Sequence, residues 1–326
     1  MTNLTVAAHA ETLKLAKHFT ISRGDKTEVE VVRCTVSDGT LRGEAEATPI
    51  YYEGETAELC VDAINMRAKS RVPLSRESLL ETMMEGAARN ALDCALWDLE
   101  AQQAGVPLWQ LAKLPEPKPL VTALTISLDA PGAMGKAAES ATKAGFGLLK
   151  LKLNGEDDLD RVKSVRATAP NARLIIDLNE AWDERDVEEE VAKLAPFNIE
   201  LIEQPVAAGN EELLDGLRLS VPLAADESCL THEDLDRCEG RFQVINIKLD
   251  KAGGLTEALL LAEKARMRGF KIMVGCMLGS SLGIRPAFAL AQKAQWVDLD
   301  APWWLAKDVP GHLELKDGQI TQISAK

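Results

Sequence analysis

Several things are scarce or missing in this sequence, and each absence removes a class of function. Base is scarce: 37 Lys and Arg stand against 51 Asp and Glu in 326 residues, a formal net charge of −14. Tracking a nucleic-acid backbone needs a basic face, so no nucleic-acid partner is expected. A small basic site inside an acidic shell is still allowed. No run of 18 apolar residues occurs, so no membrane span is expected. The six cysteines, Cys34, Cys60, Cys94, Cys229, Cys238 and Cys276, contain no CxxC pair and no regular spacing. They read as reduced, mostly buried thiols, and a zinc site is not expected. Met1 to Glu11 lacks the charged-then-apolar layout of a signal peptide. The expectation is a soluble, cytoplasmic protein.

What is present is ordinary for a globular chain, 46% hydrophobic and 27% charged. The length suits an α/β barrel of roughly 250 residues plus a smaller unit. In the first third, Glu28 to Val36 alternates partly, Asp38-Gly39 makes a turn, and Leu41 to Ala47 follows, a hairpin signal. Residues 76–104 then take up the i, i+3, i+4 period of a buried helix, which Gly105 and Pro107 close. Asp93, Trp97 and Asp98 read as part of that core helix.

From residue 118 short β-rich runs recur: VTALTISL, LLKLKL, RLIIDLN, IELIEQP, PLAADES, VINIKLD, KIMVGCM and WVDLDAP. Markers at 150, 177, 203, 226, 248, 275 and 298 are separated by 27, 26, 23, 22, 27 and 23 residues. That is the period of a strand–loop–helix–loop unit, with helical stretches at 187–195 and 255–268. Eight such strands argue for a closed (β/α) barrel. The runs are apolar, as parallel strands covered by helices must be, except near their C-terminal ends.

In a barrel those ends form the mouth where catalytic groups gather. Lys150 and Lys152, Asp177 and Asn179, Glu203 and Gln204, Asp226 and Glu227, Lys248 and Asp250, and Asp298 and Asp300 all lie late in their strands. Asp177, Glu203 and Asp226 come from three successive strands and can converge on one point. Three hard oxygen donors suit Mg²⁺, one ion per site; a belt of salt bridges between neighbouring strands is the alternative. Lys150 and Lys152 share a face of one strand. Paired ammonium groups beside a cation depress each other's pKa, which makes a lysine a usable base. Lys248, four strands later, faces Lys152 across the mouth. With a metal holding a substrate carboxylate, two opposed bases imply inversion at the α-carbon, hence a racemase or epimerase.

KLKLN, IIDLNEAW, IEQP, ADES and NIKLDKAGG, with Lys150, Lys152, Asp177, Glu203, Asp226 and Lys248, resemble the muconate-lactonising branch of the enolase superfamily. That superfamily's lysine base with Mg²⁺ is a known chemical pattern. The resemblance spans nearly the whole chain. It implies a modified (β/α) TIM barrel over residues 116–305 and an N-terminal α+β capping domain over 1–115, joined by the tail 306–326. It also implies Lys152 and Lys248 as the acid/base pair, with Lys150 supporting Lys152.

Within the superfamily, DxD at Asp298 and Asp300 resembles the dipeptide epimerases of the L-Ala-D/L-Glu type, where it holds the substrate's α-ammonium group. Arg23, in ISRG, would then contact an anionic substrate side chain. Thr125 would bond the substrate backbone, and Met277 with Leu278 would line the pocket. Tyr51 and Tyr52 lie in a second capping loop with a share in specificity. The four histidines fall outside the strand-end phase, which excludes a His–Asp base of the mandelate type. No phosphate-cradling glycine motif is present, and Gly253-Gly254 reads as a loop turn. The partner expected is a small dipeptide, and a homo-oligomer is compatible with all of this. The competing activities are o-succinylbenzoate synthase, N-acylamino acid racemase and cycloisomerase, whose substrates offer the two aspartates no ammonium.

Overall fold

The computed structural model describes residues 4–322; the first three residues and the last four of the expected 306–326 tail lie outside the described residues. The chain opens with three antiparallel strands, β1 (Thr5–Ile21), β2 (Gly24–Ser37) and β3 (Arg42–Ala47). The expected hairpin is β2–β3. The sequence reading missed β1, since only Leu13 on it is fully buried and the rest shows water a mixed face. Helices α1 (Ala57–Ala68), α2 (Arg76–Thr82) and α3 (Ala87–Ala104) follow, then the single turn α4 (Leu108–Leu111). The buried stripe of α3, including Ala91, Leu92, Ala95 and Leu99, packs under the sheet. Gly43 makes that approach possible: a Cβ there would stand 2.1 Å from the Ala95 carbonyl oxygen.

The barrel follows. Its strands are β5 (Leu124–Ile126), β6 (Leu148–Lys152), β7 (Arg173–Asp177), β8 (Ile199–Glu203), β9 (Leu223–Ala225), β10 (Val244–Ile247), β11 (Lys271–Val274) and β12 (Trp296–Val297). They are parallel and hydrogen-bonded in sequence order. The Ala123 N–H donates to the Val297 carbonyl at 2.8 Å, bringing the two end strands together. Helices α5 (Pro131–Lys143), α6 (Asp158–Thr168), α7 (Val187–Leu194), α10 (Leu255–Met267) and α11 (Ser281–Ala291) cover the outside. Single turns α8 (Leu235–Cys238), α9 (Leu249–Ala252) and α12 (Ala301–Trp304) complete the set. After β8 only a 3₁₀ turn at Glu211–Leu214 stands where a helix would be, which makes this a modified barrel.

Period-2 geometry explains how the mouth is built. Leu148, Ile175, Leu201, Ala224, Val244 and Met273 form an apolar plug, with Trp296 against it. Two residues further along those strands come Lys150, Asp177, Glu203, Asp226, Asn246 and Asp298. The alternate residues, such as Leu149, Leu151, Ile176 and Ile202, face outward into the main core. Each aliphatic side chain so buried contributes about 1.5–3 kcal/mol relative to exposure.

The tail differs from expectation. Residues 305–306 touch the cap, through the Leu15–Leu305 bridge and the Ala306 N–H to the Lys14 carbonyl. The hairpin β13 (Leu313–Lys316) and β14 (Gln319–Gln322) pairs instead with β4 (Leu120–Val121), the strand that enters the barrel. The run VTALTISL is therefore split, its first residue serving this small sheet and only Leu124–Ile126 the barrel. Among the described residues no helix is long and apolar enough to cross a membrane.

Candidate active site

A cavity lies between the barrel mouth and the β1–β2 hairpin. Lys150, Lys152, Lys248, Thr125, Met277, Asp298, Asp300 and Arg23 all line it, as do Tyr51, Tyr52 and Glu227. No histidine does. Asp177, Glu203 and Asp226 do not reach its wall; each is fully buried against a lysine.

In the metal-free protein each of the three acids faces an ammonium group. Lys150 Nζ lies 3.0 Å from Asp177 Oδ2, 2.8 Å from Glu203 Oε2 and 2.8 Å from Asp298 Oδ2. Lys152 donates to Asp177 Oδ2 at 2.6 Å and to Asn179 Oδ1 at 3.1 Å. Lys248 donates to Asp226 Oδ2 at 2.5 Å. A belt of ion pairs, the alternative weighed above, is what the side chains form. Among the described residues no three acid, histidine or cysteine side chains make a ready metal cage.

Without a cation in the site, the acids dominate the surroundings of Lys150 and Lys248. Burial alone would lower the pKa of Lys150, but Asp177, Asp298 and Glu203 outweigh it and raise the value well above 10.5. Lys248 is raised in the same way, burial being outweighed chiefly by Asp226. With these acids facing them, both ammonium groups stay charged. Burial, then the neighbouring Asp177, pushes Glu203 up to about 8.

The three carboxylates still fit a hard divalent cation. They are oxygen donors from adjacent strands, none exposed. Glu203 Oε2 and Asp226 Oδ1 are buried without a hydrogen bond; only ammonium groups face them, Lys150 at 2.8 Å and Lys251 at 2.7 Å. The chain turns sharply after each of the first two strands. Asn179, Glu180 and Gln204 take positive φ of 41°, 73° and 39°, strain of the kind that gathers at functional sites.

Asp298 and Asp300 are both buried in the wall. Asp300 Oδ2 accepts the Thr125 N–H at 2.7 Å and Trp304 Nε1–H at 3.0 Å, so the Thr125 amide is already occupied. Burial, then Asp298, raises Asp300 to about 6. Asp298 Oδ1 has no partner. Arg23 reaches the cavity, yet its Nη1 donates to Glu227 Oε1 at 2.8 Å and its Nη2 pairs with Glu180.

Lys251 was missed from sequence, its only signal being its position three residues after Lys248. Its Nζ faces Asp226 Oδ1 and donates to the Asp226, Cys229 and Asn246 carbonyls. Gly253 and Gly254 face away from the cavity. A Cβ on Gly254 would stand 2.4 Å from Asp93 Oδ2, so the pair seats α3 against the barrel. Asp93 also accepts from Thr256, and Arg89 donates to the Ala252 and Gly253 carbonyls.

Residues 1–112 match the mandelate racemase / muconate lactonizing enzyme N-terminal domain, and residues 133–324 the enolase C-terminal domain-like family. The chain belongs to the enolase superfamily, in its mandelate racemase and muconate-lactonizing group. It is 38% identical over 317 residues to the L-Ala-D/L-Glu epimerase of Escherichia coli (strain K12), covering 97% of this chain and 99% of that one. It is 41% identical over 297 residues to an N-acetyl-D-glutamate racemase of Pseudoalteromonas sp, covering 89% and 92%. An enolase family member from Agrobacterium tumefaciens, solved with sodium and L-Ala-L-Glu, superposes with a TM-score of 0.93 at 42% identity, covering 98% of both chains. The dipeptide epimerase of Enterococcus faecalis V583, complexed with Mg and L-Leu-L-Tyr, gives 0.91 at 30% identity, covering 98% and 97%. Isomerases that act on dipeptides are thus among its homologues.

Proposed function

We propose that this protein is a Mg²⁺-dependent dipeptide epimerase that inverts the α-carbon of the C-terminal residue of L-Ala-D/L-Glu-type dipeptides. One observation carries the reading: Lys152 and Lys248, from strands half a barrel apart, open into one cavity that also holds an unpartnered buried aspartate oxygen. Lysines on opposite sides of a bound substrate can take the α-proton from one face and return a proton to the other. Asp177, Glu203 and Asp226 would hold the metal. Bound there, Mg²⁺ supplies positive charge beside the substrate carboxylate and loosens the acids' hold on the lysine protons. Lys150 steadies the bound carboxylate and keeps Asp298 in place. Asp298 and Asp300 take the substrate's α-ammonium, Thr125 and Met277 line its path, and Arg23 lies on the side-chain side.

Residues 1–115 act as the cap that sets the substrate side chain's surroundings. Six free cysteines support a reducing, cytoplasmic setting. The likeness to an N-acetyl-D-glutamate racemase favours a second reading, N-acylamino acid racemisation. The Asp298/Asp300 pair opposes it: Lys150, the ammonium facing Asp298, is shared with Asp177 and Glu203, so this wall keeps negative charge that an acylated nitrogen does not answer. The test is α-hydrogen exchange in D₂O with Mg²⁺, using L-Ala-L-Glu, L-Ala-D-Glu and N-acetylglutamate. Exchange in both dipeptides supports the epimerase. Exchange in N-acetylglutamate alone transfers the assignment to the racemase.

A further inference from the structure

One wall of the cavity is built by the barrel but held by the cap. After β11 the chain runs through Cys276, Met277 and Leu278, all on the cavity lining, before Ser280 opens α11. The strand order β10-β11-β12 puts this segment between Lys248 and the Asp298/Asp300 pair. At Leu278 the cap takes hold of it. The Thr48 hydroxyl donates to the Leu278 carbonyl at 2.7 Å. Glu46 Oε1 accepts the Ser280 N–H at 2.5 Å, and Glu46 Oε2 accepts the Ser280 hydroxyl at 2.6 Å. Leu278 also packs against the apolar cluster of Leu13, Val29, Val31 and Leu305.

The approach is close. A Cβ on Gly279 would stand 2.8 Å from Glu46 Oε1 and 3.3 Å from Thr48 Oγ1, and one on Gly283 would stand 3.2 Å from the Glu46 carbonyl oxygen. Space, and not backbone conformation, calls for glycine at both places. Glu46 itself is buried, with Arg33 Nη1 2.9 Å from its Oε2. Burial pushes its carboxyl above the usual range, with Arg33 and the Ser280 bonds partly offsetting this. Apolar residues of similar volume often stabilise as well as a buried ion pair does. What the carboxylate adds is two directed bonds that fix Ser280, and with it the residues just before.

We propose that Glu46 is a positioning residue for substrate selection: with Thr48 it clamps Leu278–Ser280 and so presses the Met277–Leu278 wall against the substrate's N-terminal residue. This rests on the reading that the cavity binds a dipeptide, with Lys248 at the α-carbon and Asp298 and Asp300 at the ammonium. The residue between those two points is the N-terminal one, and two long side chains at its flank leave room for a small one. A slackened wall admits a larger N-terminal residue, while Lys152 and Lys248 stay on their strands.

The experiment compares L-Ala-L-Glu with L-Leu-L-Glu for wild type, Glu46→Leu, Thr48→Val and Thr48→Ser, by steady-state kinetics and calorimetric binding with Mg²⁺ present. In Glu46→Leu the Ala/Leu ratio of kcat/KM falls tenfold or more through KM, while kcat for L-Ala-L-Glu stays within threefold of wild type. Thr48→Val lowers the ratio threefold or more, and Thr48→Ser, which keeps the hydroxyl, holds it within twofold. A ratio within twofold of wild type in both Glu46→Leu and Thr48→Val overturns the proposal. So does a parallel loss of kcat on both dipeptides, the mark of general damage to the fold. If Glu46→Leu does not fold, the two Thr48 variants decide alone. The binding arm separates the two readings. If wild type binds L-Ala-L-Glu over L-Leu-L-Glu in a Glu46-dependent way but epimerises neither, the epimerase reading falls and the role of Glu46 stands. If wild type epimerises L-Ala-L-Glu and the variants keep its ratio, the role of Glu46 falls alone. If neither dipeptide binds, both fall.

Discussion

Lys150 Nζ lies 2.8 Å from Asp298 Oδ2, so one lysine of β6 touches both the candidate metal-binding acids and the carboxylate pair after β12. The groups that would bind the two ends of a dipeptide are thereby coupled. Asp298→Asn should lower kcat/KM for L-Ala-L-Glu by about 100-fold, roughly 2.7 kcal/mol of transition-state stabilisation. Acetylating the substrate's amino group should cost wild type a similar factor and cost the variant much less. Steady-state kinetics on the four combinations measure that coupling.

Two-base chemistry makes an asymmetric prediction. Lys152→Ala and Lys248→Ala should each depress epimerisation by at least about 10³-fold, within the range that acid–base groups supply. Each variant should still exchange the α-hydrogen of one C-terminal enantiomer, and the two should retain opposite enantiomers. Proton NMR in D₂O reads both effects. Full epimerisation by either variant would remove the two-base mechanism.

Lys251 compensates Asp226 and also knits three backbone carbonyls behind it. Lys251→Met should weaken Mg²⁺ or Mn²⁺ binding by about 10–100-fold, as loss of a supporting contact to a ligand does. Calorimetric titration with the metal alone checks this without any turnover. Thermal unfolding of the metal-free protein should fall as well, because Asp226 loses a buried partner.

Asp250 joins the cap to the barrel, accepting the Thr48 N–H at 2.8 Å and Asn90 Nδ2–H at 2.8 Å. Burial, only partly offset by these bonds, raises it from 3.8 to about 7. A carboxyl whose pKa is higher in the folded state favours folding least where it must ionise. Its contribution therefore worsens as pH rises from about 4 through 7, by an amount on the order of 4 kcal/mol. Asp250→Asn keeps an acceptor and removes the charge. Relative to wild type it should gain stability over that interval and show no difference in slope above pH 8. Denaturant midpoints at pH 4.5, 6 and 8 decide it.

Much of the barrel was legible in sequence. Lys150, Asp177, Glu203, Asp226 and Asp298 stand out because each is a charge two residues beyond an apolar inward-facing residue on a strand with a near-constant period. β1 was not legible, since a half-exposed edge strand carries little alternation. Nor was the split of VTALTISL between two sheets, because β4 is defined only by its pairing with a tail some 200 residues away. Arg23 stands in a legible motif, ISRG, but its pairing with Glu180 and Glu227 is not local and is set by the fold.

The sequence by itself determined the strand period, the inward phase of the lysines and acids, and membership of a superfamily, since these follow from local spacing and residue type. Only the tertiary structure decided which charge answers which. Ion pairs such as Lys150–Asp298 and Arg23–Glu227 join residues 148 and 204 positions apart, and no local pattern encodes such pairings. Whether a buried cation is spent on the protein or left for a ligand depends on every carboxylate within a few ångströms, which is a property of the closed barrel and its cap.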